Sequence, residues 1–440
     1  MRRIVILALL LVGMRLILPL GSQGQGSETL LSFGFLILAA HTVGEISAAA
    51  GLPKIVGYLL AGVLFGPHVL GTVTAHGTAQ LSPVSDLAIA LIAFLAGAEL
   101  RWSEVKEHGV ALGKIMVLEL STAFVAVGAL LFVARDFIPP LRGLPVEEAL
   151  AFVLLFASVA IVHSPAVTLA LLSETGDRGP IARTTLGIVL LADVAVVLLF
   201  SGVLAVARSM APPSGPEAGM SLGAVVWEIA GALLIGAVIG AAIAAYLRFV
   251  GRELVLFAVL VAFFGVEIAR IAHVELLLTL LMAGFLAENL SEHGEELRQA
   301  ANRSAAPVFV IFFALSGAKI DLMEVAPLLP LVLPIAVVRA AGIWGGVRMG
   351  ARWAGVSSLE RDHVWMGLVS QAGVAIGLAA ILAEAYPTRG SYIAGMLLAL
   401  IAVNESVGPI LFRRALAAED AGTGSATTAG PPGRTASRAG

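Results

Sequence analysis

The chain has 440 residues, of which 59% are hydrophobic and only 13% charged, and its mean hydropathy is +0.97. That composition excludes a soluble globular domain, and the long apolar runs exclude a disordered or collagen-like chain. A net charge of -3 offers no basic surface to nucleic acid, and a chain without cysteine has no disulfide, thiol catalysis or cysteine metal site.

Residues 1–27 begin with Arg2-Arg3, run through the apolar stretch 4–13 and end in Gly21-Ser22-Gln23-Gly24-Gln25-Gly26. This is the pattern of a signal peptide or of a short extra helix. Beyond it, apolar runs of about 17 to 29 residues without alternation predict helical spans rather than the strands of a barrel. Thirteen are expected, at 28–47, 53–70, 84–100, 110–134, 147–173, 181–207, 220–247, 253–270, 274–290, 306–320, 326–350, 362–386 and 390–415. Turn chemistry separates them, as at Gly51-Leu52-Pro53, Ser82-Pro83, Pro139-Pro140 and Pro387-Thr388-Arg389-Gly390. The tail at 416–440, rich in Ala, Gly, Thr, Ser and Pro, has no apolar pattern and is expected to be disordered in the cytoplasm.

Lys and Arg concentrate in alternate loops, those holding Lys54, Arg101, Lys106, Arg178, Arg248, Arg298, Arg352 and Arg413. The positive-inside rule then places the N-terminus outside and the C-terminus in the cytoplasm of a multi-pass plasma-membrane protein. The spans divide into a first repeat at 28–207, a linker helix at 220–247 and a second repeat at 253–415, giving one transporter membrane domain at 28–415. An odd number of helices separates the two halves, so they are inverted, an architecture for alternating access. The fifth helix of each half carries a break: Val162-His163-Ser164-Pro165 in the first, Ser370-Gln371-Ala372-Gly373 in the second. Interrupted helices at corresponding positions point to a midplane site, where helix ends and free backbone groups face an ion.

Charges inside the spans are few. Asp193 is central in the sixth span, where an ionised carboxylate costs roughly 2.5 to 3.5 kcal/mol on insertion scales and must face protein, water or a cation. It is the expected ligand of a monovalent cation and the carrier of the proton; the competing role is a purely structural pair with Arg339. Arg339, central in the eleventh span, keeps its charge and is expected to offset buried negative charge and the C-terminal dipoles of the broken helices. Ser164, Pro165, Thr168, Ser158, Gln371 and Gly373 surround the breaks, and at least one hydroxyl is expected in the ion's shell. His163 either titrates beside a carboxylate or bonds a freed backbone carbonyl. Glu99 and Glu405 lie nearer the cytoplasmic ends of their spans, as snorkelling side chains, as parts of the funnel to the site, or as partners between helices. Glu119 and Glu267 also lie within spans without an assigned partner. An enzyme is not expected: Gly219-Met220-Ser221-Leu222-Gly223 fits G-x-S-x-G but no strand precedes it, and no cofactor motif is present.

Gly51-Leu52-Pro53-Lys54-Ile55-Val56-Gly57 with Gly62 and Gly66-Pro67, then Phe94-Leu95-Ala96-Gly97-Ala98-Glu99-Leu100, resembles the monovalent cation/proton antiporter superfamily, in the branch with Kef-type and bacterial sodium/proton exchangers. Ser164-Pro165, Asp193, Phe312-Phe313-Ala314-Leu315-Ser316-Gly317, Gln371-Ala372-Gly373 and the segment 405–409 continue the likeness in order. The resemblance implies a sodium/proton antiporter-like fold with crossed discontinuous helices, a homodimer with a scaffold and a moving core, and elevator-type motion. It matches Asp193 to the essential carboxylate and Arg339 to the basic residue of the later core helix. Ala192 and His163 depart from the residues common at those positions in the superfamily.

The function expected from sequence is therefore electroneutral exchange of protons for Na+ or K+ across the bilayer, with no cofactor. The alternatives are a monovalent cation channel and a transport-dead sensor of the same fold.

Overall fold

Proline, glycine and capping serines decide where the apolar chain turns, and the computed structural model places helix ends at those signals. It describes residues 7, 12, 14, 25–99, 102–176, 179–212, 222–291, 293–371, 374–386 and 389–427. Among these residues all regular structure is helical: α1 (Gln25–Ala49), α2 (Lys54–Phe65), α3 (Ala75–Gln80), α4 (Ser82–Glu99), α5 (Trp102–Val133), α6 (Val146–Ala160), α7 (Pro165–Thr175), α8 (Pro180–Met210) and α9 (Leu222–Phe249) come first. Then follow α10 (Leu254–Ala272), α11 (Leu276–Leu290), α12 (Gly294–Ala318), α13 (Leu322–Val325), α14 (Leu329–Ala354), α15 (Ser358–Gly367), α16 (Val374–Ala385) and α17 (Arg389–Thr427). Among the described residues, seven stretches are long and apolar enough to cross a membrane, including Val146–Thr175, which spans the α6–α7 interruption, and five shorter apolar helices accompany them.

The α6–α7 break has a local cause. Pro165 has no N–H, and its ring clashes with the carbonyl one turn back, so a helix running through it is destabilised by about 3 kcal/mol. Ser164 instead starts a new helix, its hydroxyl accepting from the Val167 amide at 3.2 Å with Pro165 at the first helical position. The second interruption separates α15 from α16 between Gly367 and Val374.

The helices sort by packing into two groups. In one, α4 lies along α11, α11 along α9, and α2 between α1 and α12. In the other, α5 and α14 form the most extensive pair, with α6, α8, α15, α16 and α17 around them. Close approach depends on glycine: a Cβ at Gly97 would fall 1.8 Å from the Leu281 carbonyl, and one at Gly284 would fall 2.0 Å from the Phe94 carbonyl. Gly342, Gly346 and Gly350 form a stripe on α14 that lets it lie against Ala123, Glu119 and Ile115 of α5.

Two expectations about the ends meet the structure differently. The segment 1–27 falls almost wholly outside the described residues. From 416, where the composition predicts a disordered tail, α17 continues to Thr427, and 428–440 lie outside the described residues. The reason is local propensity plus a tether: 415–418 is Ala-Leu-Ala-Ala, and Glu419, only 3% exposed, accepts from the Ile181 amide of α8 at 3.3 Å.

The glycine stripe is directly testable. A Cβ at Gly346 would meet Thr122 Oγ1 at 2.2 Å and Glu119 Cα at 2.5 Å, whereas one at Gly345 meets nothing within 4 Å. Gly346→Ala is expected to cost about 1–3 kcal/mol and to lower the thermal unfolding midpoint in detergent. Gly345→Ala, one residue away, is expected to leave it unchanged.

Candidate functional site

The two interruptions lie side by side, and Arg339 joins them. A helix leaves its last four carbonyls without partners, and with no water at membrane depth each needs a donor from elsewhere in the protein. Arg339, fully buried on α14, donates through Nε to the Ala160 carbonyl and through Nη2 to the Val162 carbonyl at 2.9 Å, at the end of α6. At the end of α15 its Nη1 donates to Val369 O at 2.7 Å and its Nη2 to Leu368 O at 3.4 Å. One guanidinium thus places positive charge at two negative helix ends and satisfies backbone from both. Gln371 adds to this, its Nε2 donating to Ala160 O at 2.7 Å while its Oε1 accepts from Asn404 Nδ2 at 2.7 Å.

Asp193 lies on the other side of the break. It lines a cavity between the two helix groups, with Ser164, Pro165 and Ala166 at the start of α7 and Val374 at the start of α16. Ile92 and Ala96 of α4, Leu277 and Leu281 of α11, and Phe312 of α12 form the apolar wall. The carboxylate therefore faces the N-terminal, positive ends of α7 and α16, while the guanidinium holds the C-terminal, negative ends of α6 and α15. Asp193 is 8% exposed, and its Oδ1 has no hydrogen-bond partner among the described residues. Arg339 bonds backbone carbonyls, and no ion pair between it and Asp193 exists. A carboxylate oxygen without a hydrogen-bond partner among the described residues is chemically able to accept a proton or a cation. On the neighbouring α11, the Glu275 side chain caps the helix by accepting from the Leu278 amide.

The remaining candidates divide. Ser164 and Pro165 line the cavity, but the hydroxyls of Ser158 and Thr168 are turned to the Leu155 and Ser164 carbonyls at 2.8 and 3.1 Å. Glu405 is 2% exposed with Oε1 unpartnered among the described residues, so it is a buried group on α17 rather than a snorkelling one. The side chain of Glu99 and all of Gly373 lie outside the described residues. Glu267 pairs on the surface with Arg270 at 3.0 Å.

Sequence reasoning missed Asn404 and left Glu119 unassigned. Asn404 had a readable signal, an amide in the middle of an apolar span. Glu119, 3.2 Å from His163, had none, because 44 residues separate the two.

Two adjacent helix interruptions beside a buried carboxylate and a buried guanidinium, in a chain of many apolar helices, are the features of an integral multi-pass membrane protein. Residues 30–413 match the family described as "Sodium/hydrogen exchanger, transmembrane", and the chain belongs to that family. Among its relatives is the Na(+)/H(+)-K(+) antiporter GerN of Bacillus cereus, 23% identical over 361 residues, covering 80% of this chain and 87% of GerN. The ammonium/H(+) antiporter subunit AmhT of Alkalihalophilus pseudofirmus is likewise 23% identical over 361 residues, covering 80% of this chain and 86% of AmhT. The fold is similar to that of the sodium proton antiporter MjNhaP1 from Methanocaldococcus jannaschii, with a TM-score of 0.64 at 15% identity, covering 91% of this chain and 99% of that one.

The role of Arg339 as a shared cap yields a graded expectation. Arg339→Ala strands carbonyls of two helices and is expected to cost at least about 3 kcal/mol. Arg339→Lys keeps the charge but lacks the planar fork, so it is expected to recover only part of the loss. Thermal unfolding of the two variants beside wild type measures the order.

Proposed function

We propose that this chain exchanges protons for monovalent cations across the membrane and that Asp193 takes each in turn. The observation that carries this reading is the Asp193 carboxylate, held in a cavity among apolar side chains with one oxygen unpartnered and two helix N-termini directed at it. An empty, ionised Asp193 is costly to carry across the bilayer, whereas a protonated or cation-bound one is not. Only loaded forms then cross, and exchange is obligatory.

Na+ is the proposed first cation and K+ the second, supported by the ions that GerN is named for, with Ser164 as a neighbouring oxygen. Because Arg339 keeps its charge throughout, the proton-loaded and cation-loaded forms carry equal charge, and one-for-one exchange is electroneutral. A pH unit is worth about 1.4 kcal/mol, enough to hold about a tenfold cation gradient. The cavity lies between the two helix groups, which supports an elevator-type motion of the group around α5 and α14 against the group around α4 and α11. The further parts of the proposal are thirteen spans in two inverted repeats, a homodimer, and a plasma-membrane orientation with the N-terminus outside. The apolar cavity wall argues against a channel, which needs a continuous polar path.

The test is cation-triggered dissipation of a preset pH gradient in proteoliposomes, with Na+, K+ and Li+ added in turn. Wild type is expected to respond, and Asp193→Asn, which can carry neither proton nor cation charge, is expected to lose at least about 99% of the rate, as complete removal of a carrier demands. Flux that survives in Asp193→Asn sinks the assignment. A rate that changes under an imposed membrane potential sinks electroneutrality.

A further inference from the structure

The short helix α7 has the Asp193 cavity at one end and an unassigned carboxylate at the other. Ser164 and Pro165, at its start, line the cavity, and Glu174 stands one residue before its last position, Thr175. A helix of 11 residues is about 16 Å long, so α7 is a rigid rod between the cavity edge and Glu174.

Glu174 meets the start of α2. The first amide of a helix has no partner within it, and Pro53, at the cap position before Lys54, has no side-chain oxygen to supply one. Both carboxylate oxygens of Glu174 accept from the Lys54 amide, Oε1 at 3.2 Å and Oε2 at 3.1 Å. The negative charge therefore also lies at the positive end of α2. The Lys54 side chain takes no part: its Nζ is paired with Glu45 Oε1 of α1 at 2.5 Å. The acceptor thus comes from α7, and the donor from two helices, α1 and α2, that hold each other by their own ion pair.

This contact joins the two helix groups. α1 and α2 belong with α4 and α11, whereas α7 is tied by short connections to α6 before it and α8 after it, both in the other group. A second bond crosses between the groups, from the Trp102 amide to Asn289 Oδ1 at 2.7 Å, but there the chain itself passes from α4 to α5, and the bond lies beside a covalent hinge. Glu174 and Lys54 are 120 residues apart, and no such hinge holds them. The loops with Lys54, Arg101 and Arg178 are the ones whose charge places them in the cytoplasm. The cavity lies toward the opposite end: its wall includes Leu277, one residue into α11, whereas Asn289 at the far end of α11 bonds the α4–α5 turn.

We propose that the bond from the Lys54 amide to Glu174 is a cytoplasmic latch, which when formed closes the seam between the helix groups and when broken lets α7 leave α2 and opens the Asp193 cavity to the cytoplasm. Glu174 is a positioning residue, acting on the ion through α7 without touching it. Its side chain is exposed, so water replaces the amide when the bond breaks and the cost of opening is small. The consequence for transport rests on the exchange reading; the latch is a contact of the fold and can be read without transport.

The experiment uses the absence of cysteine from the chain, so that an introduced thiol reports alone. Ala96 lines the cavity, and alkylation of Ala96→Cys by a membrane-impermeant maleimide, applied from either face, reads the side to which the cavity opens. Adding Glu174→Ala is expected to raise the cytoplasmic labelling rate relative to the outside rate by about two- to tenfold, the population shift of one exposed hydrogen bond. In vesicles of each orientation, the ratio of the outside KM to the cytoplasmic KM for the cation is expected to rise by that same factor. Glu174→Gln, which keeps one acceptor for the amide, should fall between wild type and Glu174→Ala. In a separate variant, Lys54→Cys with Glu174→Cys, a short reducible bifunctional thiol reagent holds the latch shut; exchange is expected to fall at least about tenfold and to return on reduction. Unchanged labelling and an unchanged KM ratio in Glu174→Ala, even with a lower unfolding midpoint, make Glu174 a helix cap only and overturn the proposal. Full-rate exchange in the cross-linked protein overturns it as well. A wild type that transports nothing, with labelling that still shifts in Glu174→Ala, leaves the latch standing and brings down the exchange reading instead.

Discussion

Interrupting a helix inside a membrane leaves backbone carbonyls with no water to bond, and this protein does so twice at one place. The rest of the architecture follows from how that need is met. Arg339 reaches the ends of α6 and α15 together, and no smaller donor set has the reach and the number of hydrogens to serve both. Its fixed charge then settles where a negative group belongs. With the C-terminal helix ends held by the guanidinium, the N-terminal ends of α7 and α16 are left facing the cavity, and Asp193 lies there.

The same arrangement explains why the supporting packing is so rich in glycine. Arg339 reaches the two interruptions from α14, which lies against α5, and the stripe of Gly342, Gly346 and Gly350 permits that approach. In lipid, where apolar burial drives association weakly, such backbone proximity supplies much of the attraction between helices. Glu119 sits under that stripe, so the contact that seats the guanidinium also brings a carboxylate to His163. The charges at the centre, Arg339, Glu119 with His163, and Asp193, are held by one set of helix contacts and differ in access. Asp193 alone among them lines the cavity.

Much of this is legible in the sequence because charge in an apolar span is expensive and therefore rare. Asp193 and Arg339 stand out from their neighbours for that reason, and Ser164-Pro165 announces a helix start within an apolar run through proline's missing N–H. The hydroxyl roles were not legible. Ser158 and Thr168 lie near the break in sequence, yet both hydroxyls bond back to carbonyls three and four residues earlier. The composition of 416–427 suggests disorder, while the contact of Glu419 with the start of α8 could be known only from the fold.

The sequence by itself determined that the chain is a bundle of membrane helices, that two of them are interrupted, and that one carboxylate and one guanidinium lie deep among apolar residues. Those are statements about transfer energy and local backbone chemistry, which neighbouring residues decide. Only the tertiary structure decided that the guanidinium caps both interruptions and leaves the carboxylate unpaired, that Asn404 holds Gln371, and that Glu119 closes on His163. Each joins residues dozens to hundreds of positions apart, through hydrogen bonds whose direction depends on how one helix is rotated against another, and no local pattern encodes that rotation.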